Sequence, residues 1–225
     1  MRSKLIGLST LFGILSSSAL AQADGRWEVK QGPKQPLAVT FASAIPPNHK
    51  LQDGDLERSI RQFGNWQLGC DTVLSLRNRI CFIEQSLNDP KDTGNFIRWR
   101  LSMSINNKPY LTVMFPKDTD KSNPLTMALK VSNFDINFRA QSSEWICPEQ
   151  LAFCLINIPY EGDPVVWLEN PSTLVTFLFK REKAEKSVQL TGSMIGFVAA
   201  IDATEPEEQK KNRQNNQTKT ATKPK

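Results

Sequence analysis

From Ile97 to Ile105 the chain reads IRWRLSMSI, with Ile97, Trp99, Leu101, Met103 and Ile105 alternating against Arg98, Arg100, Ser102 and Ser104. An unbroken period of two puts every apolar side chain on one face of an extended strand and every polar one on the other, which a helix cannot do. The same period returns in Trp66, Leu68 and Cys70, and again in Met127, Leu129 and Val131. It returns once more in Phe134, Ile136, Phe138 and Ala140. Further strands are expected over 80–85, 110–115, 155–158, 174–179 and 187–190. Between them lie turn signals: Asn106-Asn107, Asp118 to Pro124, and Ser132-Asn133. Short strands with frequent turns predict an all-β fold, a single antiparallel β-sandwich of immunoglobulin-like architecture with short peripheral helices.

The first 21 residues read as a secretory signal peptide: Arg2 and Lys4, an apolar run from Leu5 to Leu15, and small residues ending Ala19-Leu20-Ala21. Cleavage is expected between Ala21 and Gln22. The run is interrupted by Ser, Thr and Gly and is too short for a membrane-spanning helix, and no integral membrane segment is expected after cleavage. Residues 22–62 read as an extended, partly disordered leader rich in Pro33, Pro36, Pro46 and Pro47. Within it, Leu56 and Ile60, four apart, predict a short helix over Leu51–Gln62. The sandwich is expected over 63–204, closing with a short helix in Gly192–Ile201 whose apolar side carries Ile195, Val198 and Ala199. Residues 205–225 are basic and polar, with too little apolar surface to order the chain, and are expected to be disordered.

The formal net charge of +5 comes from the ends of the chain: residues 22–204 carry 20 basic and 20 acidic side chains. That balance argues against a nucleic-acid partner. The cysteines are Cys70, Cys81, Cys147 and Cys154, an even number that allows three connectivities. In an exported chain such cysteines pair as disulfides. Two antiparallel strands bring opposed Cα atoms within disulfide reach, which favours Cys70 with Cys81 across a hairpin, and Cys147 with Cys154 is favoured as a tight loop because each close pair bonds without long loop closure. Cross-pairing between the two sets is the alternative. No Cys-x-x-Cys spacing is present and the single histidine, His49, lies in a Pro-flanked segment. No metal site and no cofactor are expected.

FGNWQLGC, the return CFIEQ, LTVMFP, a second cysteine pair and the closing GSMIGFVAAI together resemble the invasion-associated locus B family of exported proteins from Gram-negative, mostly alphaproteobacterial, bacteria. The resemblance covers about Phe63 to Ile201. It is carried by Gly64-x-Trp66-x3-Cys70, Cys81-x3-Gln85, Pro116, and Ser193-x2-Gly196-Phe197. It implies a secreted or envelope-associated β-sandwich, first associated with bacterial entry into host cells and without an established biochemical activity.

Catalysis is not expected. Nucleophilic sites usually borrow a histidine base, and His49 lies outside the resembling region. A non-catalytic binding role is expected instead, through loops and strand faces. The candidate interaction residues are Arg98 and Arg100 on the wet face of the long strand, and Lys117, Asp118, Asp120 and Lys121 in the loop Lys117–Asn123. The loop Leu87–Asn95 is a further candidate. Trp66 and Trp99 are expected in the core, and Gly196 is expected to permit close packing of the final helix. The partner is an unknown protein or an envelope or host-surface component, with weak electrostatic envelope association through the tail. The expected location is the periplasm, the outer membrane or the medium. The alternative is a periplasmic accessory or structural protein with no role in invasion.

Overall fold

The computed structural model describes residues 36–131, 134–161 and 168–205. Among these residues ten strands form two antiparallel sheets. The larger contains β1 (Leu56–Phe63), β2 (Trp66–Val73), β3 (Asn78–Asp89), β4 (Asp92–Met103), β5 (Pro109–Pro116) and β8 (Phe153–Pro159), in the order β1-β2-β3-β4-β5-β8. The smaller has the order β10-β9-β6-β7, from β6 (Leu125–Val131), β7 (Phe134–Ala140), β9 (Leu174–Lys180) and β10 (Ser187–Ser193). A 3-10 turn spans Ser142–Glu144, and a short helix, α1 (Phe197–Asp202), packs against β1, β2 and β3. The expected all-β sandwich is the fold observed. No helix among the described residues is long and apolar enough to cross a membrane.

The alternation in β4 holds from Ile97 to Leu101 and fails beyond it: the strand ends at Met103, Met103 and Ile105 are 37% and 61% exposed, and Ser104 is buried where the chain turns away. Ile97 and Trp99 are fully buried, while Arg98 is exposed. Core rings meet at the centre of the sandwich: Trp66 lies 4.6 Å from Trp99 and 4.7 Å from Phe197 between ring centroids, and Trp99 meets Phe177 edge-on at 5.2 Å. Such tilted and edge-on contacts suit the aromatic quadrupole. Tryptophan also brings a buried N–H that must find an acceptor. The Trp66 Nε1–H donates to the Ser193 carbonyl at 3.0 Å, and the Trp99 Nε1–H to Gln85 Oε1 at 3.1 Å. Gln85 Nε2 in turn donates to the carbonyls of Asn65 and Ser193, at 3.1 and 3.0 Å.

Trp66, Gln85 and Ser193 therefore meet Trp99 in one polar knot between the sheets. Gly192 is buried against Gln85 and Trp99, where a Cβ would collide with Gln85 Oε1. Gly196, at φ 91°, lies against the Phe63 carbonyl, and Asn65 N–H donates to the Ile195 carbonyl at 3.2 Å. The first hairpin and the last strand are thus locked together by motif residues from both ends of the domain.

Both cysteine pairs close sequentially. Cys70 and Cys81 are direct partners in the β2–β3 ladder, with Cα atoms 4.1 Å apart, and Cys147 joins Cys154 at 4.2 Å.

Three local expectations are corrected. Leu51–Gln62 is not a helix: β1 occupies Leu56–Phe63, so the sheet begins ahead of Phe63. A spacing of four is a multiple of two as well as near 3.6, so Leu56 and Ile60 share a face in a strand too. The two-residue turn Gly64-Asn65, with Gly64 at φ 54°, then returns the chain as β2. Leu87–Asn95 is mostly not loop, because β3 and β4 stay paired through Leu87↔Ile97 and Asn88↔Phe96 to an irregularity at Asn88/Asp89. At the end of the domain, Gly192 and Ser193 belong to β10 and the helix begins only at Phe197. The left-handed backbone at Gly196 rotates the buried side to Phe197 and Ala200, leaving Ile195, Val198 and Ala199 exposed. Residues 1–35, with the expected signal peptide and its cleavage site, the expected turn at Ser132-Asn133 and the tail after Glu205 lie outside the described residues.

Candidate functional site

The outer face of the six-stranded sheet is organised by register. Gln62 of β1 lies opposite Gln67 of β2, Gln67 opposite Glu84 of β3, and Glu84 opposite Arg100 of β4. Arg100 lies opposite Thr112 of β5, and Thr112 opposite Asn157 of β8. One row of polar side chains therefore crosses all six strands. Directly opposed side chains on one face are the interacting unit of a sheet, and two of the five neighbouring pairs in this row are joined by side-chain bonds. Arg100 Nε donates to Glu84 Oε2 at 2.8 Å, Thr112 Oγ1 to Asn157 Oδ1 at 2.7 Å, and Asn157 Nδ2 to the Leu37 carbonyl at 2.9 Å.

Glu84 is the anionic centre. It is buried to 9% exposure, and Arg100 Nη2 reaches it at 2.6 Å. A buried carboxylate needs such pairing because desolvation penalises its charge. Arg100 is also stacked over the Phe82 ring, 4.0 Å from guanidinium carbon to centroid, and Phe82 in turn covers Gly69 on β2. The planar guanidinium suits both contacts at once. Arg98 is looser: its Nε lies 3.8 Å from Glu84 Oε1 and 3.3 Å from Ser86 Oγ, and its side chain is 52% exposed. Arg58 and Asp71 add a two-pronged pair at 2.6 and 2.9 Å. Arg58 holds the Asp71 carboxyl below its ordinary value by hydrogen bonding and charge, against some opposition from burial, and Arg100 adds to the lowering.

The six candidate interaction residues do not form one cluster. Arg98 and Arg100 converge on Glu84. Lys117 is directed to the Cys147–Cys154 loop, where its Nζ donates to the carbonyls of Pro148 and Glu149, both at 2.9 Å. Asp118 pairs with Arg181 at 2.5 Å, and Arg181 also donates to Gly94 and Asn95, tying this loop to the start of β4. Asp120 accepts from Ser122 N–H, Ser122 Oγ and Asn123 Nδ2, an internal fastening led by Ser122 that lowers its pKa. Lys121 is exposed.

His49 has a carboxylate neighbour, with Nε2 3.4 Å from Asp55 Oδ2, and Ser75 Oγ donates to the same oxygen at 2.8 Å. The order is wrong for nucleophilic catalysis, in which the histidine stands between serine and acid. Here Asp55 stands in the middle and fastens the β2–β3 turn, accepting also from Ser75 N–H and, at its backbone carbonyl, from Leu74 N–H. Among the described residues no group of three or more His, Cys, Asp or Glu side chains converges to hold a metal ion.

Sequence reasoning missed Glu84, Thr112 and Asn157. Glu84 lies within CFIEQ beside Gln85, but which polar residues share a row depends on register. Register is a relation between strands.

No family model matches the chain, and no curated protein matches it. Three chains among solved structures match. One is the crystal structure of invasion associated protein B from Bartonella henselae, 13% identical, with a TM-score of 0.45 over 64% of this chain and 94% of that one.

Proposed function

We propose that this protein is an exported binding module of the invasion-associated locus B type, acting by recognition at the bacterial envelope or a host surface and not by catalysis. The observation that carries the reading is the polar row with Arg98 beside it. Arg100 is committed to Glu84 and Phe82, whereas the Arg98 side chain is half exposed, with its Nε near Glu84 and Ser86. An exposed cation beside a paired one is available to meet an anionic group, and charge complementarity of this kind favours encounter and specificity. Export is supported by pairing of all four cysteines, which oxidising compartments permit.

The test compares wild-type protein with Arg98→Glu in sedimentation with isolated envelopes and in adherence to host cells. Retention on one of these surfaces that falls at least about tenfold in the variant, at unchanged stability, is the expected result. Equal retention of both proteins overturns the role of this face. Fractionation of cells with protease treatment of intact ones separates the two settings. A protease-accessible or released pool supports a host-facing role, and a fully protected periplasmic pool supports an envelope accessory role.

A further inference from the structure

β1 is an edge strand: it pairs with β2 on one side and ends the sheet on the other. None of its eight residues is buried, and Ile60 is 58% exposed. An edge of this kind presents a row of backbone N–H and C=O groups ready to pair with another strand.

The sequence of the edge, LERSIRQF, says which strand fits. When a strand pairs antiparallel with a copy of itself about a twofold axis normal to the sheet, one residue faces its own copy and the others pair symmetrically about it. Centred on Arg58, that arrangement opposes two like charges. Centred on Ile60, it sets Glu57 against Phe63 and Arg58 against Gln62. Centred on Ser59, it sets Glu57 against Arg61 of the second copy, twice, on one face. On the other face it sets Arg58 against Ile60, also twice. Among the described residues neither Glu57 nor Arg61 takes part in an ion pair, and Arg61 rests 5.1 Å over the Phe63 ring. Arg58 is turned toward Asp71 on β2, away from the free edge, which draws its charge off the apolar Ile60 of the copy. Opposite charges directly across a ladder stabilise it, and like charges destabilise it.

We propose that β1 pairs with β1 of a second copy, antiparallel about a twofold axis at Ser59, joining two six-stranded sheets into one of twelve strands. The partner is this chain itself, recognised by the self-complementary order Glu57, Ser59, Arg61.

The test is sedimentation of the mature full chain over a range of concentrations, for wild type, Glu57→Arg, Arg61→Glu and the double exchange. These positions are exposed, and near-ultraviolet circular dichroism reports retention of the fold. The wild type is expected to form a dimer. Each single reversal should raise the concentration needed by at least about tenfold, and the double exchange should restore it to within about threefold. A second measurement fixes the register: Arg58→Cys mixed with Ile60→Cys should form a covalent dimer under oxidising conditions in greater yield than either variant alone. A wild type that stays monomeric overturns the proposal, as it would if residues 22–35 or a strand of another protein covered the edge. A dimer that ignores the charge reversals overturns it as well, and so does a mixture that cross-links no better than its components.

Discussion

The indole N–H of Trp99 donates to the side-chain oxygen of Gln85 at 3.1 Å, with Trp99 fully buried and Gln85 4% exposed. Through its amide nitrogen Gln85 also serves the carbonyls of Asn65 and Ser193. One side chain thus satisfies polar groups from β4, from the β1–β2 turn and from β10.

Gln85→Leu keeps the volume of the side chain but strands a buried indole donor and takes donors from two carbonyls. Unpaired buried groups cost about 1–3 kcal/mol each, so the variant should lose about 2–4 kcal/mol in urea unfolding. A loss under about 0.5 kcal/mol would show that the knot contributes nothing to stability.

The two disulfides close short loops, with partners 11 and 7 residues apart in sequence. Loop-closure entropy grows only with the logarithm of loop length, so replacing either pair by serines should cost a similar amount, about 2–3 kcal/mol. Chemical unfolding of the two double variants checks this. Stability equal to wild type in the Cys70→Ser, Cys81→Ser variant would sink the staple role.

Two glycines separate backbone strain from collision. Gly54, at φ 80°, has nothing within 4 Å of where a Cβ would stand, so Gly54→Ala should cost only the left-handed penalty of about 1–2 kcal/mol. Gly196, at φ 91°, would place its Cβ against the Phe63 carbonyl and must displace the β1–β2 turn. Gly196→Ala should therefore cost clearly more, about 3 kcal/mol or above. Equal losses in thermal unfolding would mean that the close approach is relieved without cost.

Three carboxyls are held below their ordinary value of 3.8: Asp55 chiefly by Ser75, Asp71 by Arg58 and Asp120 by Ser122. A depressed folded pKa contributes stability above the unfolded value, and that contribution is lost as pH falls through the folded one. Tyr160 is displaced upward from 10.0, first by burial and then by the Glu169 charge, so its contribution is present below that value and lost as pH rises beyond it. Melting temperature should accordingly be flat between about pH 5 and 9 and fall on both sides. Asp71→Asn should weaken the acid limb, and an unchanged limb would exclude the Arg58 pair as one of its sources.

Much of the architecture was legible because strands buried on one face must alternate. β4 can be read from Ile97, Trp99 and Leu101 alone, and the opposed positions of Cys70 and Cys81 follow from two short strands joined by a polar turn. Leu51–Gln62 was illegible for the converse reason: β1 has no buried side chain, so its residues carry no burial pattern to reveal a strand. Arg98 and Arg100 were legible as a wet face, but Glu84 as their common partner was not.

The sequence by itself determined which residues face inward, which class of fold they build and which residue types must be satisfied once buried, since these follow from local period and side-chain chemistry. Only the tertiary structure decided that Trp66, Gln85, Trp99 and Ser193 meet, that Gly196 lies on the Phe63 carbonyl, and that Gln62, Gln67, Glu84, Arg100, Thr112 and Asn157 form one row. Each of these is a contact between segments distant in the chain. Its geometry is set by strand order, register and the packing of one sheet on the other, which no local stretch encodes.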